Sequence, residues 1–260
     1  SVIDAAQEFN RVLPLFMTAA GKVTPANILV IGAGVAGLQA IATAKRLGAI
    51  VYATDVRIAS KEQVESLGGK FVMVEDEESK NAETKGGYAK EMSAEYQKKQ
   101  EALLAETLKD MDIVICTAQI PGRKAPLILK KEMLDNMKQG SVIVDLAVES
   151  GGNCEYSQVG KVVSKNGLKI VGHANVPGRV ANNASSLFSK NISNFLKLMN
   201  FEDKKKSVIN KNDEIIKATL VLLLLFLFPV IPSSPPLLLL RPLLSLLLLL
   251  PLLFPLLRLR

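Results

Sequence analysis

The stretch Ile28-Leu29-Val30-Ile31-Gly32-Ala33-Gly34-Val35-Ala36-Gly37 decides the fold. Four apolar, mostly β-branched residues in a row read as a strand buried on both faces. The glycines that follow have separate roles. Gly32 allows a tight turn, Gly34 lets the backbone approach a pyrophosphate, and Gly37 lets the next helix pack close to the strand. That helix then offers free N–H groups and a positive dipole end to phosphates. Alone the pattern is weak, because glycine turns arise for many reasons.

The next strand sharpens it. Ile50-Val51-Tyr52-Ala53-Thr54 ends at Asp55, 18 residues after Gly37, where an acid accepts hydrogen bonds from the hydroxyls of an adenosine ribose. A carboxylate there repels a 2′-phosphate, which favours NAD over NADP. Arg57 complicates this, since an arginine near the ribose can accommodate that phosphate; with Asp55 at the strand end, it is read as a charged neighbour and NAD stays preferred.

Outward from this core the alternation of short strands and helices continues. Strands are predicted at 27–32, 50–54, 70–74, 112–117, 141–146 and 168–172, and helices near 36–47, 58–67, 94–109, 130–137 and 184–199. The fold class is therefore α/β, a Rossmann-like, doubly wound, mainly parallel sheet. Upstream, Val2, Ala5, Ala6, Phe9, Val12, Leu13 and Phe16 recur at helical spacing, so residues 1–20 are expected to form a connecting helix and 21–200 the nucleotide-binding domain. In helix 184–199, the apolar stripe through Leu187, Phe188, Ile192, Phe195 and Leu196 is expected to pack on the sheet. The connection from Glu75 to about Ser93 is long and Gly-rich at Gly86-Gly87-Tyr88, which reads as an insert or a mobile flap.

Residues 201–217 read as a charged linker. Residues 218–260 hold 22 Leu and 7 Pro in 43 positions and form an irregular Leu/Pro-rich tail. Its uncharged stretch, 218–240, is long enough to cross a bilayer, yet Pro229, Pro232, Pro235 and Pro236 break any helix there. A low-complexity tail and a poor membrane segment both stay open. The net charge of +7 falls to +4 (29 basic minus 25 acidic) without Arg241, Arg258 and Arg260. The remaining basic residues alternate with acids, a pattern that argues against nucleic acid as a partner.

Cys116 and Cys154 have no Cys or His at metal-ligand spacing and read as reduced and structural. His173, the only histidine, has no triad partner in sequence and reads as a structural residue at a strand end. Asp145 and Glu149 are expected to be structural or loop-orienting, because hydride transfer between nicotinamides needs positioned rings rather than a proton donor. The chain opens on Ser rather than Met with no signal peptide, and an upstream portion is expected.

Several strings carry a family resemblance: Met17-Thr18-Ala19-Ala20-Gly21, the glycine turn through Ala40, Ala53-Thr54-Asp55-Val56-Arg57, Glu62 to Phe71, Gly86-Gly87-Tyr88-Ala89-Lys90-Glu91-Met92, Asp145 to Cys154 and Gly172 to Arg179. They resemble the first domain of proton-translocating NAD(P) transhydrogenase over about residues 1–200, in its second subdomain only. The resemblance implies NAD(H) bound here, NADP(H) on a separate domain not present in this chain, and a membrane domain between them that passes protons. It also implies a homodimer, and a membrane-associated enzyme whose nucleotide domain faces the mitochondrial matrix or a bacterial-type cytoplasm. The implied site comprises Gly32, Gly34, Val35, Ala36 and Gly37 in the turn, Asp55, Val56 and Arg57 at the ribose, and Gly87, Gln100 and Gln119; Tyr88 would sit on a loop closing over the nucleotide. Two alternatives stand beside it. Alanine dehydrogenase shares the fold but typically carries Asp where this chain has Glu149, and a bare nucleotide-binding module would catalyse nothing.

Overall fold

The computed structural model describes residues 1–74, 93–120, 122–198, 212–217 and 219. Helix α1 spans Val2–Glu8 and is followed by strands β1 (Phe16–Thr18) and β2 (Gly21–Val23). Then come β3 (Asn27–Ile31), α2 (Val35–Arg46), β4 (Ile50–Thr54), α3 (Ser60–Ser66) and β5 (Lys70–Phe71). The second half holds α4 (Ala94–Leu108), β6 (Ile113–Cys116), α5 (Lys131–Leu134), β7 (Val142–Asp145), β8 (Lys161–Lys165), β9 (Leu168–Gly172) and α6 (Ala181–Leu198).

Seven strands make one sheet in the order β5-β4-β3-β6-β7-β9-β8. All pair in parallel except β8, which runs antiparallel to β9 along Lys161↔Gly172 to Lys165↔Leu168. The six parallel strands follow the doubly wound order 3-2-1-4-5-6, whose direction of progression reverses between β3 and β6. Side chains alternate across the sheet as strand geometry requires. Ile28, Val30, Val51, Ile113, Val142 and Val171 face α1, α2 and α3, while Leu29, Ile31, Val114, Ile143 and Ile170 face α4 and α5. Both faces are thereby covered, and each fully buried Ile or Leu contributes about 1.5–3 kcal/mol relative to exposure.

The N-terminal segment departs from the expected connecting helix. α1 ends at Glu8, and its C-cap Phe9 is already extended. Pro14 disfavours helical backbone at Leu13, and the chain instead makes an antiparallel hairpin, Phe16↔Val23 to Thr18↔Gly21. Val2, Ala5, Phe9 and Leu13 are buried in the same core as Ile28 and Val30, so this segment belongs to the domain rather than leading to it. The six hairpin residues are all exposed.

The chain divides into two compact units, Ser1–Val176 and Pro177–Arg260, whereas the sequence reading runs the domain to about 200. Helix α6 falls in the second unit. None of its residues is buried, so the apolar stripe expected to be covered by packing is open, Leu187 most of all. At 212–217 the charged segment makes a helical turn capped by Asp213, whose carboxylate accepts from the amides of Ile215 and Ile216 at 2.9 and 3.1 Å. The Leu/Pro-rich tail, Thr219 apart, lies outside the described residues.

Two glycines test how the turns are held. Gly48 and Gly140 share a φ of +83°, but a Cβ on Gly48 would meet the Cβ of Pro14 at 2.6 Å, while one on Gly140 would meet nothing within 4 Å. Replacing either by Ala incurs the left-handed penalty of about 1–2 kcal/mol. Urea unfolding should show Gly48→Ala destabilised well beyond Gly140→Ala; equal losses would mean that Pro14 moves aside freely.

Candidate functional site

Three strand ends and one helix meet at Gly32. Its amide donates to the carbonyl of Thr54 at the end of β4 (2.8 Å), and its carbonyl accepts from the hydroxyl of Thr117 just after β6 (2.8 Å). Its φ of +94° is the left-handed conformation that glycine adopts without strain. At Gly37 a Cβ would lie 1.8 Å from the Gly32 carbonyl oxygen, so only a glycine lets α2 come this close. Gly34 is the N-cap of α2 and has open space where a Cβ would stand. Gly34, Val35 and Ala36 are exposed, Val35 by 87%. No side chain caps the helix and no acid lies in its first turn, while Lys45 and Arg46 occupy the last. The amides that open α2 are therefore left for an anionic ligand, with the helix dipole in their favour.

Asp55 stands beside this turn and is more occupied than its sequence position suggests. Its Oδ2 accepts from the Ala33 amide at 2.7 Å and from Arg57 Nη2 at 3.0 Å; its Oδ1 accepts from the Arg57 amide and Nε, both at 2.9 Å. Four donors fill the acceptor capacity of one carboxylate. Two of them belong to the Arg57 guanidinium, whose side chain is 24% exposed against 8% for Asp55. Val56, between them, is exposed. Ribose hydroxyls could reach the carboxylate in exchange for those guanidinium bonds, without disturbing the bond to Ala33.

Gln100 reaches this corner from α4. Its Nε2 donates to Thr54 Oγ1 at 3.0 Å, and its Oε1 accepts from the Val74 amide at 3.0 Å. The Tyr96 hydroxyl donates to the Val74 carbonyl at 3.2 Å. These two side chains fix the strand exit next to Asp55. Across the switch point, Gln119 is exposed in the loop after β6, and its Nε2 donates to Ser150 Oγ at 2.5 Å. The turn residues, Asp55, Val56, Arg57 and Gln100 thus gather around the carboxyl ends of β3 and β4, and Gln119 lies at the end of β6. Gly87 and Tyr88 lie outside the described residues. Thr54 and Thr117 were missed by sequence reasoning; each is a polar residue at the end of a buried run, which is the signal that could have found them.

The acids of the second half serve the chain itself. Asp145, fully buried at the end of β7, accepts from the amides of Ala147, Asn153 and Cys154 and from Ser157 Oγ, at 2.9, 2.9, 3.1 and 2.7 Å. Glu149 accepts from the Asn175 amide at 3.1 Å, holding the loop after β9, and His173 is half-buried directly after that strand. Among the described residues no cluster of His, Cys, Asp and Glu could hold a metal.

Both cysteines are unpaired and buried. Burial, and then the charge of Asp145, pushes the Cys116 thiol well above its ordinary range, and burial pushes Cys154 up to about 11. Both stay protonated at neutral pH and are poor nucleophiles. Iodoacetamide should leave the native protein unmodified by intact mass and label both sites once urea opens the fold. Rapid labelling of native material would contradict this.

A family model, "Alanine dehydrogenase/PNT, C-terminal domain", matches residues 1–223. The first part of the NAD(P) transhydrogenase alpha subunit of Rhodospirillum rubrum, a separate polypeptide there, is 61% identical over 222 residues, covering 85% of this chain and 58% of that protein. A crystal structure of transhydrogenase from Sinorhizobium meliloti superposes with a TM-score of 0.71 at 55% identity, over 84% of this chain and 56% of that one. An alanine dehydrogenase from Methanococcus maripaludis is a more distant relative, 29% identical over 164 residues, 61% of this chain and 38% of that protein. The chain spans little more than half the length of the transhydrogenase relatives it matches. With its parallel sheet, its glycine turn and a match over residues 1–223, the chain belongs to the alanine dehydrogenase/PNT C-terminal domain family.

Proposed function

We propose that this chain is the NAD(H)-binding part of a proton-translocating NAD(P) transhydrogenase, in which hydride passes between NAD(H) held here and NADP(H) held on a separate domain. The observation that carries this reading is the exposed, uncapped start of α2 beside Asp55, in a chain 61% identical to the first part of a transhydrogenase alpha subunit. The donor set suits the nucleotide. The α2 amides take the diphosphate, Gly34 leaves room for it, and Asp55 holds the adenosine ribose once the Arg57 guanidinium turns aside. A carboxylate so placed disfavours a 2′-phosphate, which supports NAD(H) over NADP(H).

When bound, the nicotinamide supplies the hydride chemistry; the protein supplies binding and orientation. No general acid is needed, because hydride exchange between two nicotinamides moves no proton at the reacting carbons. The commitment of Asp145 and Glu149 to backbone amides is in keeping with that. The partners in this reading are the NADP(H)-binding domain, the membrane domain and a second copy of the chain. The exposed β1–β2 hairpin supports a homodimer, since Phe16 and Met17 are 52% and 70% exposed and two strands alone are marginal in water. The enzyme would be membrane-associated, with this domain facing the mitochondrial matrix or a bacterial-type cytoplasm. Among the described residues no helix is long and apolar enough to cross a membrane, so the membrane-spanning role is assigned to the partner domain.

Calorimetry should detect NADH binding to the chain, and mixing with a separately produced NADP(H)-binding domain should give hydride exchange. Binding without exchange would support a bare nucleotide-binding module, and ammonia-dependent pyruvate reduction would move the assignment to alanine dehydrogenase. Asp55→Asn should weaken NADH about tenfold, the loss of charge-assisted hydrogen bonds, and narrow the preference over NADPH. Tighter NADPH than NADH binding in the parent protein would overturn the role given to Asp55.

A further inference from the structure

We propose that Asn153, seated on Asp145, is a positioning residue for the nicotinamide half of the bound nucleotide. It fixes the loop after β6 that carries Gln119. This rests on the reading above, that the crevice at the carboxyl ends of β3 and β6 holds NAD(H).

Asn153 is fully buried and bonds to the loop after β6 with both side chain and main chain. Its Nδ2 donates to the carbonyls of Ala118 and Pro126, both at 2.8 Å, and its own carbonyl accepts from the amides of Ile128 and Leu129 at 2.9 and 2.8 Å. Exchanging Oδ1 and Nδ2 would set an oxygen against two carbonyl oxygens, so the orientation of the amide is fixed by its partners. From below, its backbone N–H donates to Asp145 Oδ2 at 2.9 Å. Gly152, just ahead of it, has a φ of +80°, and a Cβ there would stand 2.9 Å from Asp145 Oδ2; the loop after β7 closes on the carboxylate only because that position is glycine. A second tie runs alongside: the Ala125 amide donates to the Ser150 carbonyl at 2.7 Å, and Gln119 donates to the Ser150 hydroxyl.

The loop after β6 is therefore carried on the loop after β7 by a rigid, fully buried post. The arrangement has a cost that packing alone does not explain. Asn153 Oδ1 is buried with no hydrogen-bond partner among the described residues, and a buried unpaired acceptor is destabilising. An apolar side chain would avoid that cost but could not grip two carbonyls. What the amide secures is the height of the loop at the switch point, and topology says which half of the ligand feels it. The adenosine end is fixed on the β4 side by Asp55, so the dinucleotide runs from there across β3 toward β6 and β7. Gln119 and its loop stand over that second half.

The test separates the two halves of the ligand. NADH and ADP-ribose, which shares everything except the nicotinamide ribose linkage and ring, are titrated calorimetrically into the full chain and its Asn153→Ala variant, with the fluorescence of bound NADH read in parallel. The expected result is ADP-ribose affinity within about twofold of the parent, NADH affinity down about tenfold, and a smaller change in NADH fluorescence on binding. Equal weakening of both ligands would make Asn153 a purely structural residue, and an unchanged NADH affinity would leave it with no role in binding; either overturns the proposal alone. Failure of the parent protein to bind either ligand would instead sink the NAD(H) reading and this inference with it. If Asn153→Ala loses its helical circular dichroism, Asn153→Ser, which keeps a hydroxyl donor for one of the two carbonyls, is read by the same criteria with a smaller split expected.

Discussion

The close approach of α2 to the carbonyl of Gly32 is the constraint on which the rest depends. That one peptide group receives the Thr117 hydroxyl on its oxygen, sends its N–H to Thr54, and leaves no room for a side chain at Gly37. β3, β4, β6 and α2 are thereby drawn to a single point. The opening of the helix comes out at the carboxyl ends of the strands, with its first amides uncapped by any side chain and Asp55 alongside. The anion-binding geometry is a by-product of packing a helix against a strand with nothing but backbone between them.

The two halves of the crevice are held in different ways. On the adenosine side the groups are partly exposed and exchangeable: the Arg57 guanidinium occupies Asp55 but can turn into solvent. On the other side the supports are buried and committed to the backbone. Asp145 is held by three amides and a hydroxyl rather than by a basic side chain, so its four bonds tie down loop rather than another mobile side chain. A site with one yielding side and one fixed side suits a ligand that must be admitted and then held in one orientation.

Much of this was legible in the sequence, for definite reasons. β3, β4, β6, β7 and β9 stood out because strands buried on both faces read as continuous apolar runs, and the glycine turn stood out because each glycine answers a separate steric demand. β8 went unread because it is an exposed edge strand with lysine at either end, and its period is not that of a half-buried strand. The helix expected over residues 1–20 failed where Pro14 and a hairpin overrode an apolar spacing that Val12, Leu13 and Phe16 fit by coincidence. Open α6 failed the other way, since an apolar stripe says nothing about what covers it. The work of Asp145 and Asn153 was invisible because their partners are mostly backbone groups brought together only by the fold. Asp55 was found, but its prior engagement by Arg57 was not, since adjacency in sequence does not reveal a bidentate grip.

The sheet ends in opposite ways on its two sides. One margin is β5, only Lys70–Phe71 long; the other is β8, antiparallel to its neighbour, with Lys161 and Lys165 exposed at its ends. A parallel sheet whose margins were long and uncharged would present a ladder of unpaired donors and acceptors on which other chains could polymerise. Here a newly synthesised or stored molecule meets its neighbours along a stub on one side and a cationic rail on the other. Resistance to edge-to-edge aggregation is therefore built into the same β8–β9 turn-back that ends the sheet.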